Sequence, residues 1–393
     1  MFEHLTAAPP DPILGLTDAF RSDSNSNKIN LGVGVYKTEE NTTPILRCVK
    51  EAEKRLLERE QTKSYLGIPG IAALGKQVRT LLWGDRIDDE RCGTVQTPGG
   101  TGGLRVAADF LAKRFPHARM WCSTPTWANH PSVFAAAGLD VQYYSYLGED
   151  GTSLDFPAML ADLEQIPAGD TVCLHGCCHN PTGVDPTAEQ WEQIARVVRE
   201  KQLLPLLDFA YQGFGEGIDE DAFGLRQILS TCVDALVCSS FSKNFGLYSE
   251  RIGALTAVAS TPEAAAATQS HLKISVRTNY SNPPQHGGAI VSEVLASQEL
   301  TDMWIEELAE MRARIRQMRT AFVEQMKRRM PERDFSFIAR QKGMFSYSGL
   351  TRLQVDELRN KYSIYVVNSG RINVAGINEQ NLRPLCDAIA SVL

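Results

Sequence analysis

The segment SSFSKNFGLYSER, residues 239–251, contains a lysine whose surroundings could support chemistry. Lys243 follows an apolar run and stands between small hydroxyl residues, and Arg251 follows eight positions later. A lysine taken out of water loses its charge more easily and becomes a nucleophile for carbonyl groups, while serine hydroxyls and a guanidinium suit a phosphate. Taken alone, the segment is more typical of a solvated loop, so the choice depends on the rest of the chain.

A glycine-rich segment, TPGGTGGLR at 97–105, lies between a predicted strand and a predicted helix. Glycine lets backbone N–H groups approach an anion closely, and a helix N-terminus adds a favourable field. A plain tight turn explains the glycines equally well. The segment matches neither the P-loop nor the dinucleotide-binding pattern, and no acidic residue lies about 20 residues further on to hold a ribose. Gly100 and Thr101 therefore suit a single phosphate better than a pyrophosphate.

Asp208 comes directly after the apolar run LLPLL. A carboxylate at that depth is costly unless a positive group accompanies it. It either forms a structural ion pair or helix cap, or it balances the charge of a protonated ring nitrogen. The segment alone favours neither interpretation.

The segment LHGCCHNPTG, residues 174–183, suggests a zinc site through its two cysteines and two histidines. Zinc ligands are normally separated by two or more residues and need a second pair elsewhere in the chain. The adjacent cysteines have no such partner pair, so we expect no metal. The more informative residue is Asn180, because the proline that follows restricts its backbone.

Two prolines, Pro125 and Pro181, lie at or shortly after predicted strand ends, directly beside these candidate residues. Unusual backbone geometry is tolerated at such places where it aims a side chain. We predict cis peptide bonds at Thr124–Pro125 and Asn180–Pro181.

The candidate residues share one position in the predicted fold. Apolar segments at 91–98, 119–125, 170–176, 203–210 and 235–242 alternate with helical segments, which predicts a mainly parallel α/β sheet covered by helices on both faces. Ligands bind at the carboxyl ends of such strands. The residues near or just after the ends of the five segments are Gly100 with Thr101, Trp127, Asn180, Asp208 with Tyr211, and Ser240 with Lys243. Such side chains at five strand ends predict one shared pocket.

The composition of the chain excludes several classes of protein. Its 393 residues carry a net charge of −7 and a pI near 5.6, unlike the basic domains that bind nucleic acids. No apolar run approaches the roughly 18 residues of a membrane span, and the start of the chain lacks the features of a secretory signal. Nine scattered cysteines indicate free thiols in a reducing cytoplasm.

The segment 301–330 contains apolar residues at alternating four- and three-residue spacing. They are Trp304, Leu308, Met311, Ile315, Met318 and Phe322. The spacing fits a coiled-coil seam, but it lasts for less than three heptads, so one long helix that joins two domains is the better prediction.

A phosphate site, a stacking aromatic residue, a counter-ion for a ring nitrogen and a reactive lysine are together what pyridoxal phosphate requires. The segments that carry them are SFSKNFGLYSERIG, DFAYQGF, HGCCHNPTG, TPGGTGGLRVAADFLAK, NYSNPP and SGRINVAG. They closely resemble the aspartate aminotransferases of the bacterial cytoplasmic type, a class I family of pyridoxal-phosphate-dependent enzymes. The resemblance extends from DPILGL near the start to LCDAIASVL at the end.

The resemblance implies roles for individual residues. Lys243 would bond covalently to pyridoxal 5′-phosphate and transfer the substrate proton, with Asp208 and Tyr211 as further catalytic residues. Asp208 would hold the ring nitrogen, supported by His130 and His175. The cofactor would be bound by Gly100, Thr101, Trp127, Asn180, Asp208, Tyr211, Ser240, Ser242, Lys243, Arg251 and, from a partner subunit, Tyr65. The substrate would be bound by Gly34, Trp127, Asn180, Arg371 and, from the partner subunit, Arg277, and Phe345 would line the pocket mouth with Gly34.

The implied fold is that of type I pyridoxal-phosphate enzymes. It has a large cofactor-binding domain at 44–310, a smaller α/β domain made of 11–43 and 311–393, and an N-terminal arm at 1–10 that contacts the partner in a homodimer. The implied reaction transfers an amino group between L-aspartate and 2-oxoglutarate, giving oxaloacetate and L-glutamate, in a ping-pong sequence through pyridoxamine phosphate. Its partners are small amino acids and 2-oxo acids, without nucleic acid or membrane.

Three alternatives remain open. A broad-specificity aromatic aminotransferase of the same family is one, although Val35, Lys37, Thr43, Thr101 and Asn282 match the aspartate-type set. A nicotinamide oxidoreductase would also use an α/β sheet and a glycine-rich turn, but it needs the missing ribose-binding acid. A phosphate- or amino-acid-binding module would need no buried lysine.

Overall fold

The computed structural model describes residues 2–7 and 14–393. The remaining positions, which include part of the predicted N-terminal arm and the start of DPILGL, lie outside the described residues. The described strands are β1 (Ile29–Asn30), β2 (Cys92–Pro98), β3 (Met120–Thr124), β4 (Val141–Ser145), β5 (Thr171–His175), β6 (Leu204–Phe209), β7 (Ala235–Ser240), β8 (Ile252–Val258), β9 (Phe345–Tyr347), β10 (Ile364–Tyr365) and β11 (Arg371–Asn373).

Seven strands form one sheet in the order β2-β8-β7-β6-β5-β3-β4. The run from β7 to β4 is parallel, whereas β8 pairs antiparallel with both β7 and β2. Strands β5, β7 and β8 are buried at every residue, as expected for a sheet covered on both faces. The mainly parallel sheet and its five predicted strands are confirmed, while β4 and β8 were not predicted.

Helices cover the sheet and extend beyond it. They are α1 (Leu14–Ser22), α2 (Arg47–Arg59), α3 (Ala72–Trp83), α4 (Gly99–Arg114), α5 (His130–Ala136), α6 (Phe156–Gln165), α7 (Ala188–Glu200), α8 (Ile218–Asp221), α9 (Phe223–Thr231), α10 (Pro262–Asn279), α11 (His286–Ala296), α12 (Gln298–Arg329), α13 (Ser336–Arg340), α14 (Arg352–Tyr362) and α15 (Glu379–Val392), with short 3₁₀ turns at Phe2–His4, Asp89–Arg91 and Val374–Gly376.

Helix α12 is one unbroken helix of 32 residues, and all six of its regularly spaced apolar residues are buried. The prediction of a single long helix is therefore confirmed. Near its start, Trp304 Nε1 donates a hydrogen bond to the carbonyl of Asn244 at 2.7 Å. The Trp304 ring also stacks on Phe245, with centroids 4.5 Å apart. These contacts hold the turn that follows β7, where Lys243 lies.

Two further sheets lie outside the central one, and each has two strands. Strand β1 pairs parallel with β10, so that Ile29 lies opposite Ile364. Strand β9 pairs antiparallel with β11, so that Phe345 lies opposite Asn373. The first pair connects residues from both ends of the chain. The domain boundaries themselves stay a prediction.

Several local predictions can be checked directly. Both predicted peptide bonds, Thr124–Pro125 and Asn180–Pro181, are cis, and Thr187 with Gln190 forms a capping box at the start of α7. All nine cysteines are free thiols. In the part of the chain that the structure describes, no helix combines the length and apolar character needed to cross a membrane.

The packing of α2 against α12 depends on one buried carboxylate. Glu307 accepts hydrogen bonds from the backbone N–H groups of Arg47 at 2.7 Å and Cys48 at 3.1 Å. Helix α2 has no side-chain cap of its own at Leu46. Glu307 therefore satisfies helix-terminal donors that would otherwise be buried without partners.

We predict that Glu307→Ala lowers the free energy of unfolding by about 1–3 kcal/mol, because buried N–H groups lose their acceptor. The midpoint of urea unfolding at fixed protein concentration measures this loss. The neighbouring Glu306, whose side chain is 67% exposed in its ion pair with Arg47, provides the control. Glu306→Ala should change stability by about 1 kcal/mol or less. Equal effects of the two substitutions would contradict the capping role.

Candidate active site

The predicted pocket exists as one cavity of about 390 Å³, bordered by residues at the carboxyl ends of five strands. Nine predicted residues line it: Gly100, Thr101, Trp127, Asn180, Asp208, Tyr211, Ser240, Ser242 and Lys243. Gly34 and Arg251 line the same cavity. Its volume and its few convergent polar groups are typical of a small-molecule site.

One end of the cavity is built to hold an anion. Helix α4 begins there without a side-chain cap among the described residues and without an acidic residue in its first turn. Gly99 has a φ of +71°, and a Cβ at this position would collide with the Arg251 guanidinium. Arg251 Nη1 donates to Ser242 Oγ at 3.3 Å, and Ser240 Oγ donates to Ser242 Oγ at the same distance. Free helical N–H groups, two hydroxyls and a guanidinium together suit a phosphate.

The carboxylate of Asp208 is held by a histidine. His130 Nε2 lies 3.1 Å from Asp208 Oδ2. On its other side, His130 Nδ1 lies 2.8 Å from Thr126 Oγ1, which also lies 3.1 Å from His175 Nε2. His175 is thus connected to Asp208 through Thr126 and His130. In the described part of the chain, the second oxygen of Asp208 has no hydrogen-bond partner.

Burial alone would raise the pKa of Asp208, but the hydrogen bond with His130 and the nearby charges of His130, His175 and Lys243 lower it below its usual value. The pKa of His175 falls to about 3, because burial disfavours its charged form. Asp208 is therefore ionised at neutral pH. Its free oxygen can accept a hydrogen bond from a protonated nitrogen of a ligand.

Lys243 is half-buried, and its Nζ lies 4.7 Å from the centroid of the Tyr211 ring. Burial lowers the pKa of Lys243 to about 8; Arg251 and Arg371 lower it too, whereas Asp208 opposes the change. An ordinary lysine has a pKa of about 10.4. A much larger share of this amine is therefore neutral near pH 7, and the neutral form is the one that acts as a nucleophile or a base.

Asn180 connects Tyr211, which lines the cavity, to Arg371. Its Nδ2 donates to the Tyr211 hydroxyl at 3.4 Å, and its Oδ1 accepts from Arg371 Nη1 at 3.3 Å. Burial raises the pKa of Tyr211, which keeps its phenol protonated and able to donate a hydrogen bond. Asn180 and Tyr211 are thus positioned as a pair.

Arg371 is buried beside the cavity and lacks a carboxylate partner among the described residues. Its Nη2 donates to the carbonyl of Gly32 at 2.6 Å. Its Nε is buried without a hydrogen-bond partner in the described part of the chain. Its Cζ lies 4.1 Å from the centroid of the Phe345 ring, which in turn lies against Gly34. A buried guanidinium with an unpaired N–H suits a carboxylate that arrives with a substrate.

Two predicted site residues lie away from the cavity of their own chain. Tyr65 is 92% exposed. Arg277, in the last turn of α10, is exposed and donates to Ser281 Oγ. Both residues are predicted to act from a partner subunit, and those roles stay predictions.

Four residues that line the cavity were not predicted, namely Val33, Leu104, Ala210 and Tyr248. The hydroxyl of Tyr248 accepts the backbone N–H of Tyr36 at 2.9 Å, and burial raises the pKa of Tyr248 to about 12. Tyr248 stands between Lys243 and Arg251 in the sequence, and this position was a usable signal. Ala210 has only a methyl side chain, so its chemistry gives no sign of a role, and only its position directly after β6 indicates that it lines the cavity.

The rejected zinc segment also has a definite arrangement. Ligand atoms of Cys177, Cys178 and Asp221 lie within 4.8 Å of one another. However, burial raises the pKa of Cys177 well above its usual value. Asp221 already accepts three backbone N–H bonds from the loop 213–216. Protonated thiols and an occupied carboxylate make a poor zinc site.

Comparisons with known proteins agree with this geometry. The family model described as Aminotransferase class I and II matches residues 26–389. The aspartate aminotransferase of Salmonella typhi is 54% identical over 396 residues, covering 100% of both chains. The aromatic-amino-acid aminotransferase of Pseudomonas aeruginosa is 47% identical over 394 residues, covering 100% of this chain and 98% of the relative.

The crystal structure of an aromatic-amino-acid aminotransferase from Burkholderia pseudomallei, covalently bound to pyridoxal phosphate, has a TM-score of 0.97 with this chain. The two chains are 49% identical, with 100% of this chain and 99% of that chain covered. This chain belongs to the class I and II aminotransferases. Its α/β fold is that of the pyridoxal-phosphate-dependent members of this family.

The cofactor of this aminotransferase is pyridoxal phosphate, and the residues present fit it. The uncapped start of α4 and the Ser240–Ser242–Arg251 cluster suit the phosphate group. The unpaired oxygen of Asp208 suits the ring nitrogen, and the amine of Lys243 suits the aldehyde. Three different groups of the cofactor thus find complementary groups in one cavity.

We predict that Asp208→Asn lowers the pKa of Lys243 below its value of about 8 in the cofactor-free aminotransferase. The carboxylate favours the ammonium form, so its removal must shift the midpoint to lower pH. Competitive acetylation across a pH series, followed by mass spectrometry of the peptide that contains Lys243, measures this midpoint. Asp219→Asn, at an acid whose side chain is 82% exposed, is the control. An unchanged or raised midpoint in Asp208→Asn would contradict the coupling.

Proposed function

We propose that this aminotransferase transfers an amino group between L-aspartate and 2-oxoglutarate, giving oxaloacetate and L-glutamate. One observation carries the proposal. Arg371 is a buried guanidinium whose Nε has no hydrogen-bond partner among the described residues. It is hydrogen-bonded to Asn180, which lines the cavity that contains Lys243, an amine of lowered pKa. A 2-amino or 2-oxo acid presents a carboxylate beside the reacting carbon, and this arrangement suits both groups.

Pyridoxal phosphate, when bound, supplies an electron sink for the negative charge that develops at the substrate Cα. We propose that Gly100, Thr101, Ser240, Ser242 and Arg251 hold its phosphate. Asp208 would keep its ring nitrogen protonated, because the carboxylate is ionised and buried. Trp127 borders the cavity and would cover one face of the ring.

Lys243 would act as the base and acid at the substrate Cα. Its pKa of about 8 leaves a useful neutral fraction near neutral pH and also allows it to return the proton. Tyr211 and Asn180 would hold the ring's phenolic oxygen, since their side chains are already hydrogen-bonded to each other at 3.4 Å. Asn180 would also orient Arg371, which would bind the substrate α-carboxylate.

The second carboxylate of aspartate or glutamate requires a second cation. We propose that the chain forms a homodimer in which Arg277 of one subunit binds this carboxylate in the partner's site, and Tyr65 contacts the cofactor phosphate there. The exposure of both residues in the single chain supports this assignment. We also propose that the enzyme is cytoplasmic, in agreement with its nine free thiols.

The domain organisation is part of the same proposal. Residues 44–310 would form the large domain, and 11–43 with 311–393 the small one. The pairing of Ile29 with Ile364 and of Asn30 with Tyr365 supports a unit made from both chain ends. Residues 1–10 would form an arm against the partner, although 1 and 8–10 lie outside the described residues.

A broad-specificity aromatic aminotransferase is the second candidate. It is favoured by the relatives of that name at 47% and 49% identity. Of the five residues that match the aspartate-type set, Val35 and Thr101 border the cavity. Lys37, Thr43 and Asn282 do not line the cavity. Lys37 Nζ instead donates a hydrogen bond to the carbonyl of Asn41 at 3.1 Å.

We predict that the wild-type enzyme prefers aspartate to tyrosine in kcat/KM with 2-oxoglutarate as acceptor, because tyrosine cannot pair with a second guanidinium. Steady-state rates for both donors measure the preference. Lys243→Ala provides the inactive control and should retain the fold. Equal efficiency with aspartate and tyrosine would favour the aromatic alternative. Turnover of Lys243→Ala within about tenfold of wild type, a barrier change of only 1.4 kcal/mol, would contradict Lys243 as the base.

We predict that Arg277→Leu separates dicarboxylic from aromatic substrates. Loss of one partner of a buried charged pair costs about 2–5 kcal/mol, so kcat/KM for aspartate should fall roughly thirty- to several-thousand-fold. The value for phenylalanine should change far less. Lys273→Leu, one turn earlier on α10, is the matched control. Equal losses for both substrates would show that Arg277 is a structural residue of the subunit interface.

A further inference from the structure

Arg319 is a buried cation outside the catalytic cavity. It lies in the middle of α12, is only 2% exposed, and has no carboxylate partner among the described residues. Burial lowers the pKa of Arg319 to about 10. An arginine at neutral pH is still charged at that value, so its charge must be compensated by hydrogen bonds.

The compensating acceptors all belong to one short segment, 338–346. Arg319 Nη1 donates to the carbonyl of Ile338 at 2.9 Å and to Ser346 Oγ. Its Nη2 donates to the carbonyls of Gly343 at 2.8 Å and Phe345 at 2.6 Å. The two terminal nitrogens of the Arg319 guanidinium thus bind four residues of this segment to α12.

The fastened segment contacts Arg371 in two ways. Strand β9 pairs with β11, so that Tyr347 lies opposite Arg371 and Ser346 opposite Ile372. The Phe345 ring also lies under the Arg371 guanidinium, with its centroid 4.1 Å from Cζ. The position of Arg371 therefore depends on where β9 is held.

The same segment also contacts the loop that carries Asn180. The backbone N–H of Lys342 donates to the carbonyl of Gly183 at 2.6 Å. Gly183 has a φ of +72°, and a Cβ there would lie only 2.6 Å from the Phe345 carbonyl oxygen. Arg319 donates a hydrogen bond to this same carbonyl. The guanidinium therefore determines how closely the segment 338–346 packs against the loop that contains Asn180 and Gly183.

We propose that Arg319 is a positioning residue for substrate recognition. It holds Arg371 and Asn180 at the separation that binds a substrate carboxylate, without touching the substrate itself. The inference rests on the proposed function, because it takes Arg371 as the carboxylate-binding group.

The shape of the guanidinium is essential to this role. Its two terminal nitrogens donate to acceptors that range from α13 to β9, and a lysine presents its three donors from a single atom. Lysine retains the charge and most of the aliphatic stem. Arg319→Lys therefore removes the fork while it leaves the helix and its charge largely unchanged.

The test uses the holoenzyme of Arg319→Lys. Succinate, a dicarboxylate without an amino group, is titrated into wild type and variant by calorimetry. We expect its Kd to rise about tenfold, equivalent to 1.4 kcal/mol, and the KM for aspartate to rise in parallel. The value of kcat should stay within about threefold, as expected when binding rather than the chemical step is affected. The affinity for pyridoxal phosphate should fall much less than that for succinate, because its phosphate site is built on α4 and the turn after β7 and only its contact with Asn180 depends on the segment 338–346.

Arg316→Lys is the matched control. Arg316 lies on the same helix, its side chain is 52% exposed, and it pairs with Glu216. Its substitution should leave the Kd of succinate and the KM for aspartate unchanged. A change as large as that in Arg319→Lys would overturn the assignment to Arg319.

Other outcomes are equally decisive. An unchanged Kd for succinate in a folded Arg319→Lys holoenzyme would overturn the inference, and so would parallel losses of succinate affinity, cofactor affinity and kcat. If Arg319→Lys does not fold, Ser346→Ala is the second variant, because it removes a single acceptor of Arg319. It should raise the Kd of succinate about threefold, which corresponds to a fraction of the free energy of one charged hydrogen bond. No rise in this Kd would overturn the inference. A wild-type enzyme that binds succinate but does not transaminate aspartate would contradict the proposed function alone.

Discussion

The buried carboxylate of Asp208 is the constraint around which the site is arranged. Burial opposes its ionisation, and the hydrogen bond with His130 reverses that effect. His130 in turn needs Thr126 to fix its ring. Strand β6 lies between β5 and β7 in the sheet, so the residues after these neighbours, including Asn180 and Lys243, must flank Asp208. The order of the strands thus fixes which residues lie on either side of the Asp208 carboxylate: Asn180 on the β5 side and Lys243 on the β7 side.

The charges around the cavity explain both its ligand and its reactive amine. Lys243, Arg251 and Arg371 are cationic, and Asp208 is the only carboxylate among the described residues that line the cavity. An excess of positive charge favours anionic ligands such as phosphates and carboxylates. The same two arginines lower the pKa of Lys243, while Asp208 keeps it from falling further. Ligand binding and amine reactivity therefore have a common electrostatic origin.

Much of this arrangement is readable from the sequence because strand ends are local features. Apolar runs located five strands, and the polar residues after them located the cavity. Strand β8 was missed because no helix separates it from β7, so the strand–helix alternation does not mark it, and its antiparallel direction leaves no mark in the sequence. The hydrogen bond between Tyr248 and the N–H of Tyr36 could not be predicted from the sequence, because the two residues are 212 positions apart. The role proposed for Arg319 could not be predicted either, since the charged run RARIRQMR at 312–319 is typical of a solvated helix face, and only the packing shows that Arg319 is buried.

Helix α12 connects the two halves of the site. Trp304, near its start, bonds to Asn244 beside Lys243, and Arg319 holds the segment beside Arg371. Trp304 and Arg319 are 15 positions apart, or about 22 Å along the helix at 1.5 Å per residue. The cofactor side is also supported by seven paired strands, whereas the substrate side depends on the two-stranded β9–β11 sheet and this helix. The geometry of carboxylate recognition can therefore change through Arg319 while the cofactor site, built into the large sheet, stays in place.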